Sequence, residues 1–450
     1  MTLQSLFVLL PSVISGGALA HLIWPDREFK SILFKSFLGF GLGLGINSLL
    51  FFIFLLLFDS RPGFFALQIL VMVLFVSVLV IRGRPFQFTP GAFKMPGLTQ
   101  IVFLALAVGM LILGLRLYIT VSLGEPQGAW DSWMIYNRAA RFIYRGGEHW
   151  RDAFSPEMYW FFHTDYPPLV ALNVASGWQA LGQETVRVPM VVGAAFWIAS
   201  AGMMFAGLNA YKTLGQASLG LLLLFSISDF TGAGAKQVAD IPVAFFILAT
   251  GILIFLYSLK LQKGLLVLAG LSAGLAAWTK NEGLFFLIAS LIGLGVAYRK
   301  ELKQTFPWYL LGLAAPMAIL VYFKIALAPP GDLFVDLSTQ LGQITELYRH
   351  QEILKQLGLD MTSLFNWMLL AVYTLVLGID RSRLRFPAFF ACLIIILLQL
   401  VGYYGILLIS PHPVLWHLSA LYRLLLQIGP LTGFLYFSVV EPPETFFQPK

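Results

Sequence analysis

Charge is what this sequence has least of. Of its 450 residues only 29 are basic and 22 acidic, 11% in all, where a soluble domain carries roughly 25%. So few ionisable side chains cannot coat a globule of this length in water, which excludes a string of soluble domains. Cysteine is almost missing: the single Cys392 lies in the apolar run 389–400. An intrachain disulfide is therefore impossible, and so is a disulfide scaffold. No basic block occurs, so the formal charge of +7 does not suggest nucleic acid. Walker loops, strand-borne GxGxxG, HExxH and CxxC are all lacking. Gly270-Leu271-Ser272-Ala273-Gly274 fits GxSxG, but inside an apolar run and not at a strand–helix elbow. Residues 1–5 carry no basic side chain; the first apolar run reads as a spanning helix and not as a cleaved leader.

What is present is apolar. Hydrophobic residues make up 58% and aromatics 15%, with a mean hydropathy of +0.82. A membrane helix needs about 20 mostly apolar residues. Thirteen runs qualify: 3–23, 33–57, 64–81, 98–121, 188–210, 213–228, 241–259, 264–279, 283–298, 307–328, 364–379, 387–409 and 417–438. A fourteenth, 167–182, is short and broken by Asn173, Ser176 and Gln179, and reads as a partial or re-entrant helix. If it does not span, the basic clusters alternate cleanly. Arg27/Lys30/Lys35, Arg82/Arg84/Lys94, Lys212, Lys260/Lys263, Arg299/Lys300/Lys303 and Arg381/Arg383/Arg385 share one side; the short loops opposite hold only Arg61, Lys236 and Lys280. The expected fold is an all-α polytopic membrane protein of about 13 transmembrane helices, N-terminus outside and C-terminus cytoplasmic.

Two long loops then fall outside, 122–166 and 329–363. The first gathers six of the 22 acids, four of the 11 Trp and two of the six His. Within it Ile135, Ala139, Phe142 and Ile143 share one helical face, and Arg138, Arg141 and Arg145 another. The spacing predicts an amphipathic helix on the membrane surface, its basic stripe either meeting lipid phosphates or simply solvated. Gly39, Gly41, Gly43 and Gly45 predict close helix packing.

Polar residues cluster beside helix ends on the outer face. Trp130-Asp131-Ser132-Trp133 opens the surface helix, and His163-Thr164-Asp165-Tyr166-Pro167-Pro168-Leu169 the half-helix. Asp240-Ile241-Pro242 opens the seventh span, and Thr279-Lys280-Asn281-Glu282-Gly283 joins the eighth to the ninth. Helix capping accounts for any one of them; capping has no preferred side and does not account for all. In the last span Trp416, Ser419, Arg423 and Gln427 share a face. An arginine in an apolar helix is functional by default, with snorkelling the alternative. Snorkelling suits Arg116, Lys324 and Lys35 better, because each lies near a span end. The histidines are too scattered for metal-ligand spacing.

Taken in order, these residues resemble the GT-C superfamily of polytopic membrane glycosyltransferases. The nearest likeness is to the protein O-mannosyltransferase and aminoarabinose-transferase branch. It rests on Asp131 in the first long loop, Tyr166-Pro167-Pro168-Leu169, Arg187-Val188-Pro189, Asp240 at a helix start, and a glycine-rich helix from Ala269-Gly270 to Thr279-Lys280. Residues 98–300 carry it, and the Arg423 helix matches more loosely. This chain departs in having Ser132 where the family often has a second acid, three additional N-terminal spans, and little beyond residue 438.

The resemblance implies three regions: 1–97 with the additional helices, a catalytic membrane core at 98–328, and C-terminal helices at 329–450. It implies a site on the extracytoplasmic face of a membrane, the cytoplasmic (inner) membrane being the expected one. There a sugar passes from a polyprenyl (or dolichyl) phosphate donor to a hydroxyl of a glycan, lipid or protein acceptor. Asp131 would be the general base, with Asp165 and Asp240 the other acids of the site. Lys280 and Arg423 would clamp the donor phosphate; Glu282, Arg116, Tyr166 and His163 complete the substrate-binding set. No cofactor is required, and a divalent metal stays open. The chemistry agrees independently: a phosphate leaves without a general acid, so one carboxylate and some cations suffice. A membrane transporter, or a glycan polymerase or ligase without GT-C chemistry, is the competing expectation.

Overall fold

The structure is a computed structural model that describes residues 3–58, 63–83, 95–158, 162–331 and 337–447. The described residues form a bundle of helices with one isolated antiparallel bridge, Ile379 to Val440. Among the described residues nine helices are long and apolar enough to cross a membrane, or eleven if each of two bent pairs is one span. Most are apolar all round, as helices must be when one side meets protein and the other lipid. Leu98–Gly124, for instance, has only 11% of its most apolar window buried, and Asp240–Lys260 has 94%. The chain is a helical membrane protein. Arg61, Arg84, Lys94, Trp160 and positions 332–336 lie outside the described residues.

Several expected spans take a different form. The eighth and ninth are the shorter helices Lys263–Ala277 and Asn281–Ala297. The run 213–228 is one limb of a pair, Leu214–Ser226 and Asp229–Ala235, bent by 71°. The run 364–379 is also one limb: Trp367–Leu377 follows Leu347–Leu364 at 58°. Eleven residues rise only about 16 Å, half a bilayer core, so Trp367–Leu377 alone is too short to span. Part of the expected outer loop 329–363 is thus helical. The half-helix is Leu169–Leu181, and a short turn returns from it to helix Arg187–Tyr211.

The glycines of helix Phe29–Phe58 do what their spacing suggests. A Cβ on Gly43 would lie 2.1 Å from the Ser12 carbonyl oxygen, and one on Gly16 would lie 2.2 Å from that of Gly39. Helix Leu10–Ile23 can approach this closely only because both are glycine.

The surface helix is not continuous. Ser132–Tyr136 is a π-turn, and Asn137–Arg145 is α-helical. Its arginines are occupied within the protein. Arg141 and Arg145 both pair with Glu184 at 2.7 Å. Arg138 turns inward to the Met134 carbonyl at 2.9 Å and covers the Phe162 ring at 5.1 Å. Burial pulls its guanidinium down to about 10. Arg141 and Arg145 therefore fasten this helix to the half-helix loop through Glu184, while Arg145 stays largely exposed.

Alternating helices give the bundle two ends. One carries Asp131, Asp240, Lys280 and Arg423. The other carries ion pairs among its basic residues: Lys260 with Asp26 and Glu28, and Lys212 with Asp380 at 3.1 Å. Buried Lys35 donates to the Trp24 carbonyl at 3.0 Å and to that of Asp26; it caps helix Leu10–Ile23 and does not snorkel. Burial opposes the charge of Asp380, but Ser382, Lys212 and Arg383 outweigh it and hold the carboxyl at about 2. An aspartate so depressed contributes stability that is complete above its unfolded value near 3.9 and disappears as pH falls through 2. Asp380→Asn should therefore lower the melting temperature in detergent between pH 5 and 7, with the gap to wild type narrowing below pH 4. A gap independent of pH would contradict this.

Candidate active site

Asp131 follows a tight turn that its neighbours dictate. Gly128 has φ +78, and a Cβ there would lie 2.5 Å from the Lys236 carbonyl oxygen. That same oxygen accepts from Ala129 N at 3.0 Å and Ser132 Oγ at 2.5 Å. The turn delivers Asp131 into the first turn of its helix, where its side chain makes no capping bond. Its Oδ2 instead meets Arg423 Nη1 at 2.8 Å.

Arg423 bridges. Its Nε lies 4.0 Å from Oδ2 of Asp240, which is buried at the start of helix Asp240–Lys260. Asp240 Oδ1 accepts from Lys280 Nζ at 3.0 Å and from Gln427 Nε2 at 2.7 Å. Gln427 in turn accepts from the Tyr403 hydroxyl at 3.0 Å. Lys280 Nζ also meets Glu282 Oε1 at 2.8 Å. Asp131, Arg423, Asp240, Lys280 and Glu282 thus form one continuous chain of ion pairs from four separate stretches of sequence. Burial disfavours the charge on Lys280, but Asp240 and Glu282 overcome that and hold the amine well above its usual range. Gly283 makes this turn possible: a Cβ there would lie 1.9 Å from the Ala276 carbonyl oxygen.

The next residue serves a second cluster. Asn281 Nδ2 donates to Asp165 Oδ2 at 2.7 Å. Lys324 Nζ donates to the Asp165 carbonyl at 2.6 Å and to Asn281 Oδ1 at 2.8 Å. Asp165 sits in a turn closed by Tyr166 N to the His163 carbonyl at 3.0 Å. His163 has φ +46, a strained value for a non-glycine residue, and its ring stacks on Tyr166 at 4.5 Å. Burial pushes the phenols of Tyr136 and Tyr166 well above the ordinary range.

The structure therefore brings Asp131, Asp240, Lys280, Glu282 and Arg423 together, and sets Asp165, Tyr166 and His163 in the adjoining turn. Arg116 is exposed on helix Leu98–Gly124 and joins neither cluster by an ion pair. Capping explains neither Asp131 nor Asp240. The face expected to run from Trp416 to Gln427 is interrupted, because 418–420 is a 3-10 turn. Only Arg423 and Gln427 share it, while Ser419 Oγ bonds the Trp416 carbonyl at 2.8 Å. Sequence reasoning missed Tyr403 and took Lys324 for a snorkelling residue; Tyr403 lies in an apolar run with no charge to mark it. No three His, Cys, Asp or Glu side chains come together as metal ligands among the described residues. The chain matches no family model, no curated protein and no solved structure.

The two cations differ in access. The Lys280 side chain is 4% exposed and already meets two carboxylates, whereas that of Arg423 is 31% exposed, beside a partly open Asp131. An incoming anion can reach Arg423 and not Lys280. Trp130 and Trp133 stand exposed on either side of Asp131, as aromatic residues do at a bilayer interface.

Proposed function

We propose that this protein is a membrane glycosyltransferase of GT-C type, using a polyprenyl phosphate sugar at the face that bears Asp131. The observation that carries the reading is the Asp131–Arg423–Asp240–Lys280–Glu282 chain, a prearranged carboxylate beside an accessible cation at one bundle end.

The donor phosphate binds Arg423 and takes the place of Asp131 on the guanidinium. Asp131, released, accepts the proton of the acceptor hydroxyl. The acceptor oxygen bonds to the anomeric carbon as the bond from that carbon to phosphate oxygen breaks. Polyprenyl phosphate leaves with the electron pair, its charge held by Arg423. Lys280, itself held by Glu282, and Gln427 hold Asp240, and Asp240 fixes the rear of Arg423. Lys280, buried between two carboxylates, is the counter-ion, and the more exposed Arg423 is the phosphate ligand. The resemblance alone leaves open whether one cation or both hold the phosphate.

Sidedness is tested by labelling. Cysteines placed at Ser155 and Ser382 in a Cys392→Ala background should react from opposite faces of the membrane, Ser155 from outside. Reaction of both from one face contradicts the proposed topology.

A transporter is the second reading, and one observation favours it: both bent helix pairs break beside Gly429. A Cβ there would lie 3.6 Å from both Ile227 and Leu364, and broken helices mark transport sites. The side chains nearest Gly429 are the apolar Ile227 and Leu364, whereas the Asp131–Arg423–Asp240–Lys280–Glu282 chain lies at a bundle end. Supplying the purified protein with a panel of polyprenyl phosphate sugars separates the two. Transfer in detergent, where no gradient exists, requires an enzyme; uptake by vesicles without transfer requires a transporter.

A further inference from the structure

Helix Phe29–Phe58 precedes the proposed catalytic core, yet two consecutive residues of it are bonded into the elements that carry the site. Asn47 and Ser48 are both buried. Asn47 Nδ2 donates to Asn173 Oδ1 at 2.9 Å and to Ser176 Oγ at 3.1 Å, both on the half-helix. Asn173 Nδ2 answers by donating to the Leu44 carbonyl at 3.0 Å and to that of Leu169 at 2.9 Å. Gln68, from the following helix, donates to Asn47 Oδ1.

Ser48 faces a different element. Its Oγ donates to the Gly45 carbonyl at 2.6 Å and accepts from Trp278 Nε1 at 3.0 Å. Trp278 lies two residues before Lys280, and its carbonyl accepts from Leu169 N at 3.3 Å. One turn further along, Phe52 meets the Trp278 ring edge-on at 5.3 Å. Gly41 and Gly45 bring the helix against Phe245 and Leu275, whose atoms a Cβ would approach to 1.9 and 2.4 Å.

Apolar contacts alone would anchor these helices and let them slide. Directional bonds in a low-dielectric interior admit one register, because each unmade partner there is expensive. We propose that Asn47 and Ser48 are positioning residues that lock the half-helix and the Trp278 turn in register. Lys280 then faces Asp240, and Asn281 faces Asp165. Neither Asn47 nor Ser48 needs to touch substrate; Ser48 acts through Trp278, and Asn47 through Asn173. The consequence for catalysis rests on the transferase reading, but the register itself does not.

The test uses Ser48→Ala, which removes the acceptor for Trp278, and Ser48→Thr, which keeps a hydroxyl there. Hydrogen–deuterium exchange is followed over 166–176 and 275–283 in the full-length protein in detergent, with the remaining helices as reference. Ser48→Ala should speed exchange over 275–283, and Asn47→Ala over 166–176, by about threefold or more against that reference, through local opening. Trp278→Phe should reproduce the Ser48→Ala effect, and Ser48→Thr should restore the wild-type rate. In the transfer assay kcat should fall about tenfold with the donor KM unchanged, as misplacement of catalytic groups predicts. Wild-type exchange in both stretches would overturn the proposal. So would acceleration spread evenly over all helices, which would leave the pair a role in stability alone. Exchange is read without substrate, so a protein that transfers no sugar sinks the transferase reading while this result still decides the register.

Discussion

Asp131→Asn should retain the fold and bind donor, yet turn over about a hundredfold or more slowly, the usual contribution of a positioned general base. Asparagine keeps the size of the side chain and can still accept a hydrogen bond from Arg423, whose partner is Asp131 Oδ2 at 2.8 Å. It cannot take a proton from an acceptor hydroxyl. Were Asp131 only a helix cap, asparagine would serve equally well, but its carboxylate makes no capping bond. The measurement is kcat with saturating donor, beside a donor-binding titration. Near-normal turnover removes Asp131 from the mechanism and makes Asp165 the next residue to test.

Arg423→Ala should affect donor binding and departure of the phosphate together. It also leaves Asp131 without its cation and Asp240 with Lys280 alone. Truncating one partner of a desolvated charge pair costs about 2–5 kcal/mol, some 30-fold to several thousandfold in kcat/KM for donor. Arg423→Lys is the sharper variant. Lysine offers one point charge where the guanidinium spans two carboxylates, so it should recover folding but little of the activity. Full donor kinetics in Arg423→Lys would show that the fork geometry is dispensable; full kinetics in a folded Arg423→Ala would place the phosphate elsewhere.

Much of the helix inventory follows from composition, because runs of apolar residues near bilayer length have few alternatives in lipid. The breaks were harder to see. The bend at 365–366 does leave a trace: Asn366 accepts from Leu369 N at 3.0 Å as an N-cap, and a capping residue before an apolar run is a start signal. The expected span 364–379 runs across it, because Glu352 and Lys355 put the preceding helix in the expected outer loop 329–363. The site was legible as residue types and bundle end, not as pairing. Asp240 and Lys280 are 40 residues apart, and nothing in their spacing shows that Glu282 closes the lysine from the other side. Lys324 is the instructive miss. A long cationic side chain near a span end has two resting places, interface water or a buried carbonyl, and only tertiary structure supplies the Asp165 carbonyl that selects the second.

The central claim is that sugar leaves polyprenyl phosphate when Asp131 takes the acceptor proton beside Arg423. The most direct measurement follows a doubly labelled donor, with one label in the sugar and one in the lipid phosphate, through a single turnover in detergent. The account predicts that free polyprenyl phosphate and glycosylated acceptor appear together in equal amounts with wild-type protein, and that both slow by the same factor with Asp131→Asn. Intact donor after prolonged incubation with every sugar and acceptor tried, or lipid phosphate released equally fast by Asp131→Asn, would contradict it.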